Sequence, residues 1–241
     1  MALATVNKAT VVSGEITIPA WGSWFADLEL DGDPVALQGS QAAFKFGTVT
    51  GTAFVQASGN DGGSRYGVRL FGGFGGWAQQ VSAKAYRNDL GVGAPAVLAD
   101  LARSVGEVVA PVGAFLTKRL GPAYAREEGS AFATLSGLLG EEWHTDFAGT
   151  TSTQKRLPSV VPLTAELLEK SPAARVARYR VDDFNGMVPG AVDGVAGLTF
   201  GDVTWRITEA EAIVLASYSD AENRRVAAIH RMFDAFDPYR K

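Results

Sequence analysis

The sequence predicts a mainly β protein with some α: small antiparallel β-barrels, short helices and a C-terminal amphipathic helix. Three observations carry this expectation. The 28 glycines are spread along 241 residues rather than gathered in a linker, which calls for many tight turns and close backbone approaches. Apolar and polar residues alternate in short stretches toward both ends of the chain, the period of a half-buried strand. Between those stretches and at the C-terminus, apolar residues recur at helical spacing instead.

The first strand is expected over Thr10–Ile18, which is rich in Val, Ile and Thr. Next, Trp24, Ala26, Leu28 and Leu30 alternate with Phe25, Asp27 and Glu29, and Asp31-Gly32 supplies a turn. Phe44 to Val55 sets Phe44, Phe46, Thr48 and Thr50 on one side, and Asn60-Asp61-Gly62-Gly63 offers residues that tolerate the positive φ of a hairpin. Tyr66–Phe71 reads as the returning strand. Trp77 to Tyr86 alternates again, giving about six strands over residues 10 to 86 by pattern matching. A small barrel is the natural closure for that meander, since closing it removes exposed edges.

The texture then changes. Val97, Leu98, Leu101 and Val105 stand at helical spacing within Ala94–Val105, with Pro95 in the first turn and Gly106 past the end. A second helix is expected over Ser130–Leu139, where Leu135, Leu138 and Leu139 share a stripe ending at Gly140. Trp143–Phe147 reads as a short strand, and Val108–Arg126 carries no assignable pattern. From Leu157 to Ser217 the chain returns to β character, with alternation over 175–181 and 199–207 and turns at Asp193-Gly194 and Gly201-Asp202. Ser219 with Glu222 forms a capping box, and Val226, Ile229, Phe233 and Phe236 line one face until Asp237-Pro238. The resulting division is an N-terminal barrel over 1–86, a helix-containing segment over 87–156 and a C-terminal β domain over 157–241 ending in the helix.

Composition narrows the function classes. A formal net charge of -4 gives no basic surplus for gripping a phosphate backbone. With no cysteine, neither disulfides nor thiolate metal sites contribute. No stretch approaches the roughly 20 apolar residues that cross a bilayer, so neither a secretion signal nor a membrane anchor is expected.

Residues fit for catalysis are sparse. The chain has 2 histidines, His144 and His230, so acid–base or metal chemistry must use one of them or carboxylates alone. His144 and Asp146, two apart on the expected strand, share a side, with Glu141 and Glu142 just upstream; a hydrolytic or metal site there competes with a plain half-exposed strand beside a buried Trp143. His230 reads as a solvated helix residue. Neither a G-x-S-x-G elbow nor an H-E-x-x-H helix occurs. Phe71-Gly72-Gly73-Phe74-Gly75-Gly76-Trp77 resembles a phosphate-cradling loop in composition, but a strand rather than a helix is expected after it, so a bend between barrel strands is the better account. Trp21, Trp24 and Trp77 suit either a core or a stacking platform for sugar rings. The stripe Val226, Ile229, Phe233 and Phe236 either covers its own sheet or forms a subunit interface.

The order of segments adds a resemblance. An N-terminal barrel, then Tyr86-Arg87-Asn88-Asp89-Leu90-Gly91-Val92 leading into Val97-Leu98-Ala99-Asp100-Leu101-Ala102, looks like the hub proteins at the tip of bacteriophage tails. Tyr124-Ala125-Arg126, Leu135–Leu139 and Glu142-Trp143-His144 are similar to that family's short helix followed by a Trp-bearing strand. Met187-Val188-Pro189-Gly190 with Asp193-Gly194-Val195 resembles the turn that opens its next small barrel. The resemblance spans about two thirds of the chain through degenerate motifs. It implies a non-enzymatic structural component of the virion tail, made in the host cytoplasm, without cofactor: a hub or tube-to-baseplate adaptor. Copies would form a homo-oligomeric ring, a trimer or hexamer, that continues the tail tube, binds other tail or baseplate proteins, anchors spikes or fibres, and meets DNA as a transient passenger. A carbohydrate- or host-surface-binding module and a tail-associated cell-wall hydrolase are the alternatives.

Overall fold

A computed structural model describes residues 4–34, 38–60, 64–157, 159–194, 198–208 and 211–218. Its N-terminal part is a closed barrel of six antiparallel strands: β1 (Ala4–Val6), β2 (Ala9–Ile18), β3 (Phe25–Asp31), β4 (Gln41–Phe46), β5 (Val49–Asn60) and β6 (Arg65–Phe71). Neighbours run β1-β4-β5-β6-β3-β2, and β1 pairs back to β2 through Thr5↔Thr10 and Val6↔Ala9, closing the ring. The alternation that predicts β3 is observed: Ala26, Leu28 and Leu30 are buried while Asp27 is exposed. Inward side chains from every barrel strand, among them Ile16, Leu30, Phe46, Val55 and Leu70, make one apolar core.

The run Phe44 to Val55 is two strands rather than one. It breaks at Gly47-Thr48, where Gly47 has φ 62° and the Asp183 carboxylate accepts from the Thr48 amide at 2.9 Å and from its hydroxyl. Trp77–Tyr86 does not join the barrel either. The chain leaves β6, makes a 3-10 turn at Gly76–Ala78, and gives two short strands, β7 (Gln80–Val81) and β8 (Lys84–Arg87). The turn residues 61–63 and the predicted C-terminal helix, including its capping box and His230, lie outside the described residues.

Helix α1 (Ala94–Val105) forms where expected, with Pro95 in its first turn and Gly106 at its C-cap with φ 73°. The segment without a sequence pattern contains β9 (Val108–Ala110), a 3-10 turn at Gly113–Thr117 and β10 (Ala123–Arg126). After β11 (Gly129–Ser130), Ser130 caps α2 (Ala131–Leu139) by accepting from the Ala133 amide at 3.2 Å. β12 (His144–Thr145) and β13 (Thr150–Ser152) follow, β13 lying parallel to β9. Leu98, Leu101, Leu135, Trp77 and Trp143 centre a second apolar cluster here.

The C-terminal strands are β14 (Glu166–Ser171), β15 (Val176–Val181), β16 (Val192–Asp193), β17 (Leu198–Thr199), β18 (Val203–Ile207) and β19 (Ala212–Ser217). β18 pairs with the far half of β2, so the barrel sheet continues as β2-β18-β19-β15-β14 into one sheet of ten strands. The first apolar core therefore runs on through Tyr179, Phe184, Met187, Phe200 and Trp205. Phe147, from the helical segment, inserts between the two strand groups, 5.4 Å from both the Trp24 and the Trp205 rings.

Candidate functional site

His144 and Asp146 serve the β12–β13 hairpin instead of facing a substrate. The His144 Nδ1–H donates to the Gln154 carbonyl at 2.8 Å. Asp146 Oδ1 accepts from the Thr150 amide at 2.8 Å, closing the turn between the strands. Arg156 donates to the Thr145 carbonyl at 2.8 Å. Burial, helped by the nearby Arg156 charge, pushes the His144 pKa down to about 4, so the imidazole is neutral at neutral pH. Glu142 pairs at the surface with Lys155 at 3.0 Å. Among the described residues no three His, Cys, Asp or Glu side chains are grouped so as to hold a metal ion, and Glu141, Glu142, His144 and Asp146 do not form that site.

The tryptophans are core residues, which corrects the stacking-platform alternative. Trp21, Trp24 and Trp77 are 6%, 0% and 3% exposed, leaving no ring face for a sugar. The Trp24 Nε1–H donates to the Asp146 carbonyl at 3.1 Å and the Trp77 Nε1–H to the Thr151 hydroxyl at 3.1 Å. Trp21 meets Trp143 edge-on, ring centroids 6.3 Å apart.

The glycine-rich segment does cradle an anion, and the anion is internal. The Phe74 and Gly76 amides donate to the Glu107 carboxylate at 3.1 and 2.6 Å. Gly76 is obligatory there, because an added Cβ would sit on the Val105 carbonyl oxygen and 2.8 Å from Glu107 Cγ. Burial raises the Glu107 pKa, and the backbone donors of Gly76, Phe74 and Trp77 oppose that rise. The expected bend between barrel strands is thus a clasp between the barrel exit and the end of α1. Glu107 escaped the sequence reading. The available signal was an acidic residue directly after a glycine C-cap, a weak one.

Of the proposed interface residues, Val226, Ile229, Phe233 and Phe236 lie outside the described residues. No described helix is long and apolar enough to cross a membrane.

A closed six-stranded barrel whose sheet runs on into a second strand group, with a helix-bearing segment hung between them, is a fold similar to that of solved phage-tail and type VI secretion proteins. Three solved structures show this. The E. coli c3393 protein, a component of the type VI secretion system described as similar to the T4 bacteriophage tail proteins gp27 and gp5, matches with TM-score 0.58 and 14% identity over 90% of this chain and 77% of its own. A 43 kDa tail protein of prophage MuSo2 from Shewanella oneidensis matches at 0.55 and 11% over 88% and 94%. A tail protein from Neisseria meningitidis MC58 matches at 0.56 and 11% over 90% and 95%. No protein-family model and no curated protein sequence matches.

Proposed function

We propose that this chain is a structural component of a phage tail tip or baseplate, acting as hub or tube-to-baseplate adaptor. In this reading copies join into a ring that continues the tail tube and anchors spike or fibre proteins. One observation carries it: three solved tail-type proteins share the fold over about nine tenths of this chain. The interior supports a role through shape. The large aromatic side chains and the histidine strand are spent on packing and hairpin closure, and the polar groups expected to do chemistry are engaged in local hydrogen bonds.

Mass photometry at micromolar concentration, together with electron microscopy of tail particles, tests the reading. Oligomers of three or six copies, and a matching ring at the tail tip, are expected. A strictly monomeric protein combined with no ring in the particles would overturn it.

A further inference from the structure

The loop after β15 carries Asn185-Gly186, the one place in the sequence where glycine follows asparagine. Phe184 to Met187 form a turn closed by the Met187 amide, which donates to the Phe184 carbonyl at 3.0 Å. Gly186 has φ 80° while Asn185 keeps a negative φ, the pattern of a type II turn with glycine in its third position. The peptide joining Asn185 to Gly186 is the middle one of that turn. Among the described residues neither its carbonyl nor its N–H makes a hydrogen bond, and the exposed Asn185 carboxamide makes none either.

The other asparagines stand differently. Asn7 Oδ1 accepts from the Ala43 amide at 2.8 Å and Asn88 Oδ1 from the Leu90 amide at 3.0 Å. Each is followed by a residue with a side chain, Lys8 and Asp89, as Asn60 and Asn223 are by Asp61 and Arg224.

We propose that Asn185 is a site of spontaneous deamidation whose isoaspartate product loosens the seat of Trp205. The Gly186 amide nitrogen attacks Asn185 Cγ. The N–Cγ bond forms, the Cγ–Nδ2 bond breaks, and Nδ2 leaves as ammonia with the proton that the Gly186 nitrogen gives up. Water then opens the cyclic imide. Its addition at Cγ leaves aspartate; its addition at the main-chain carbonyl leaves isoaspartate, whose backbone runs through Cβ and Cγ and is a methylene longer. The attack requires rotation about the Asn185 Cα–C bond, which swings the middle peptide of the turn. Because that peptide is unbonded, the Met187 to Phe184 hydrogen bond stays in place, and so does the Gly186 carbonyl, which the Ser159 hydroxyl holds at 3.1 Å. Glycine has no Cβ to block the carboxamide and tolerates the backbone angles at both ends of the rotation.

The position gives the product its consequence. Phe184 and Met187, at the two ends of the turn, are fully buried. The Phe184 ring stacks on Trp205 with centroids 4.8 Å apart, and the Met187 carbonyl accepts from the Trp205 Nε1–H at 2.6 Å. A methylene added between them shifts one contact or the other in a close-packed interior. The new carboxylate also stands two residues from Asp183, which holds the Thr48 amide of the barrel at 2.9 Å.

The full-length protein is kept at mildly alkaline pH, native and in urea, and peptide mass spectrometry with electron-transfer fragmentation follows each asparagine. In the native protein Asn185 should convert at least about tenfold faster than Asn7 and Asn88. Conversion of Asn185 in urea alone, or at the rate of Asn7 and Asn88, overturns the proposal. Asn185→Asp supplies the product's charge without the longer backbone. The deamidated fraction, isolated by anion exchange, should melt below both that variant and the fresh protein. Melting together with Asn185→Asp would show that the longer backbone leaves Trp205 undisturbed, and would overturn that half of the proposal. Both readouts are independent of whether copies form a ring.

Discussion

Acidification should expose the cost of keeping His144 neutral. Its folded pKa is about 4 against an ordinary 6.5, so between those values the unfolded chain binds the proton and the folded one does not. Stability is then present above pH 6.5 and is lost as pH falls toward 4. A depression of that size corresponds to at most about 3 kcal/mol. Because solvent reaches part of the ring, about 2 kcal/mol is the better expectation. Other groups titrate nearby: Asp100 and Asp183 are held below the ordinary carboxylate range by their hydrogen bonds and lose stability in the same direction at lower pH, while Glu107 acts oppositely. The assay is therefore a difference. Urea unfolding from pH 7.5 to 4 is compared between the natural protein and His144→Asn, whose amide can still donate to the Gln154 carbonyl but does not titrate. The natural protein should lose about 2 kcal/mol more than the variant across this window. Parallel curves would refute the burial argument for His144.

Gly76→Ala should destabilise by about 3 kcal/mol, since its Cβ would overlap the Val105 carbonyl in a packed seam; a melting temperature within a degree of the natural protein would contradict the clasp geometry. Trp24→Phe keeps most of the ring but removes the donor to the Asp146 carbonyl, and chemical denaturation should show a loss of about 1 to 2 kcal/mol. Glu107→Gln should remove the fall in stability that the raised Glu107 pKa produces as pH rises above its ordinary range, and an unchanged pH profile in urea titrations would show that folding does not shift the titration of this carboxyl.

How far the sequence could be read depended on whether burial was one-sided. β3 and β15 each have one face in the core and one in water, so Ala26, Leu28 and Leu30, and Ala177, Tyr179 and Val181, stand out against their polar neighbours. The helices were legible for the same reason, with proline and glycine marking the ends of α1. Alternation misled where it crossed a turn. The turn at Gly47-Thr48 reverses the phase, with Ala42, Phe44 and Phe46 buried before it and Ala53 and Val55 after it, so Thr48 and Thr50 are exposed although their spacing sets them beside the two phenylalanines, and Trp77 to Tyr86 alternates although Trp77 and Val81 are buried in the helical cluster while Ala83 and Ala85 are exposed. β9 and β10 left no pattern because strands of three and four residues are defined by their partners β13 and β8 rather than by their own periodicity. The His144 site failed for a different reason. Sequence spacing placed His144 near Asp146, but only the fold shows that Gln154 and Thr150 take up their hydrogen-bonding groups.

The least local contact in the fold joins the barrel to the C-terminal strands. Glu15 and Arg206 meet across β2 and β18, with the guanidinium Nε donating at 2.8 Å, although 191 residues separate them. An exposed ion pair contributes little stability, so the join is held by the apolar row beneath it, Ile16, Ile18, Val203 and Trp205, all fully buried. That row makes the barrel and the C-terminal strands share one core, while the helical segment hangs from it through Phe147, Trp24 and the Glu107 clasp. A sheet built this way resists bending between its two strand groups, because a hinge at β2 and β18 would part Trp205 from Phe46 of the barrel, whose rings meet edge-on 6.5 Å apart, and expose both. Rigid subunits suit a ring, since small angular errors accumulate from copy to copy and prevent closure. Trp205→Ala, which should cost about 4 kcal/mol by emptying that junction, is therefore expected to weaken the proposed ring, read by mass photometry as a loss of oligomer at temperatures where the monomer stays folded.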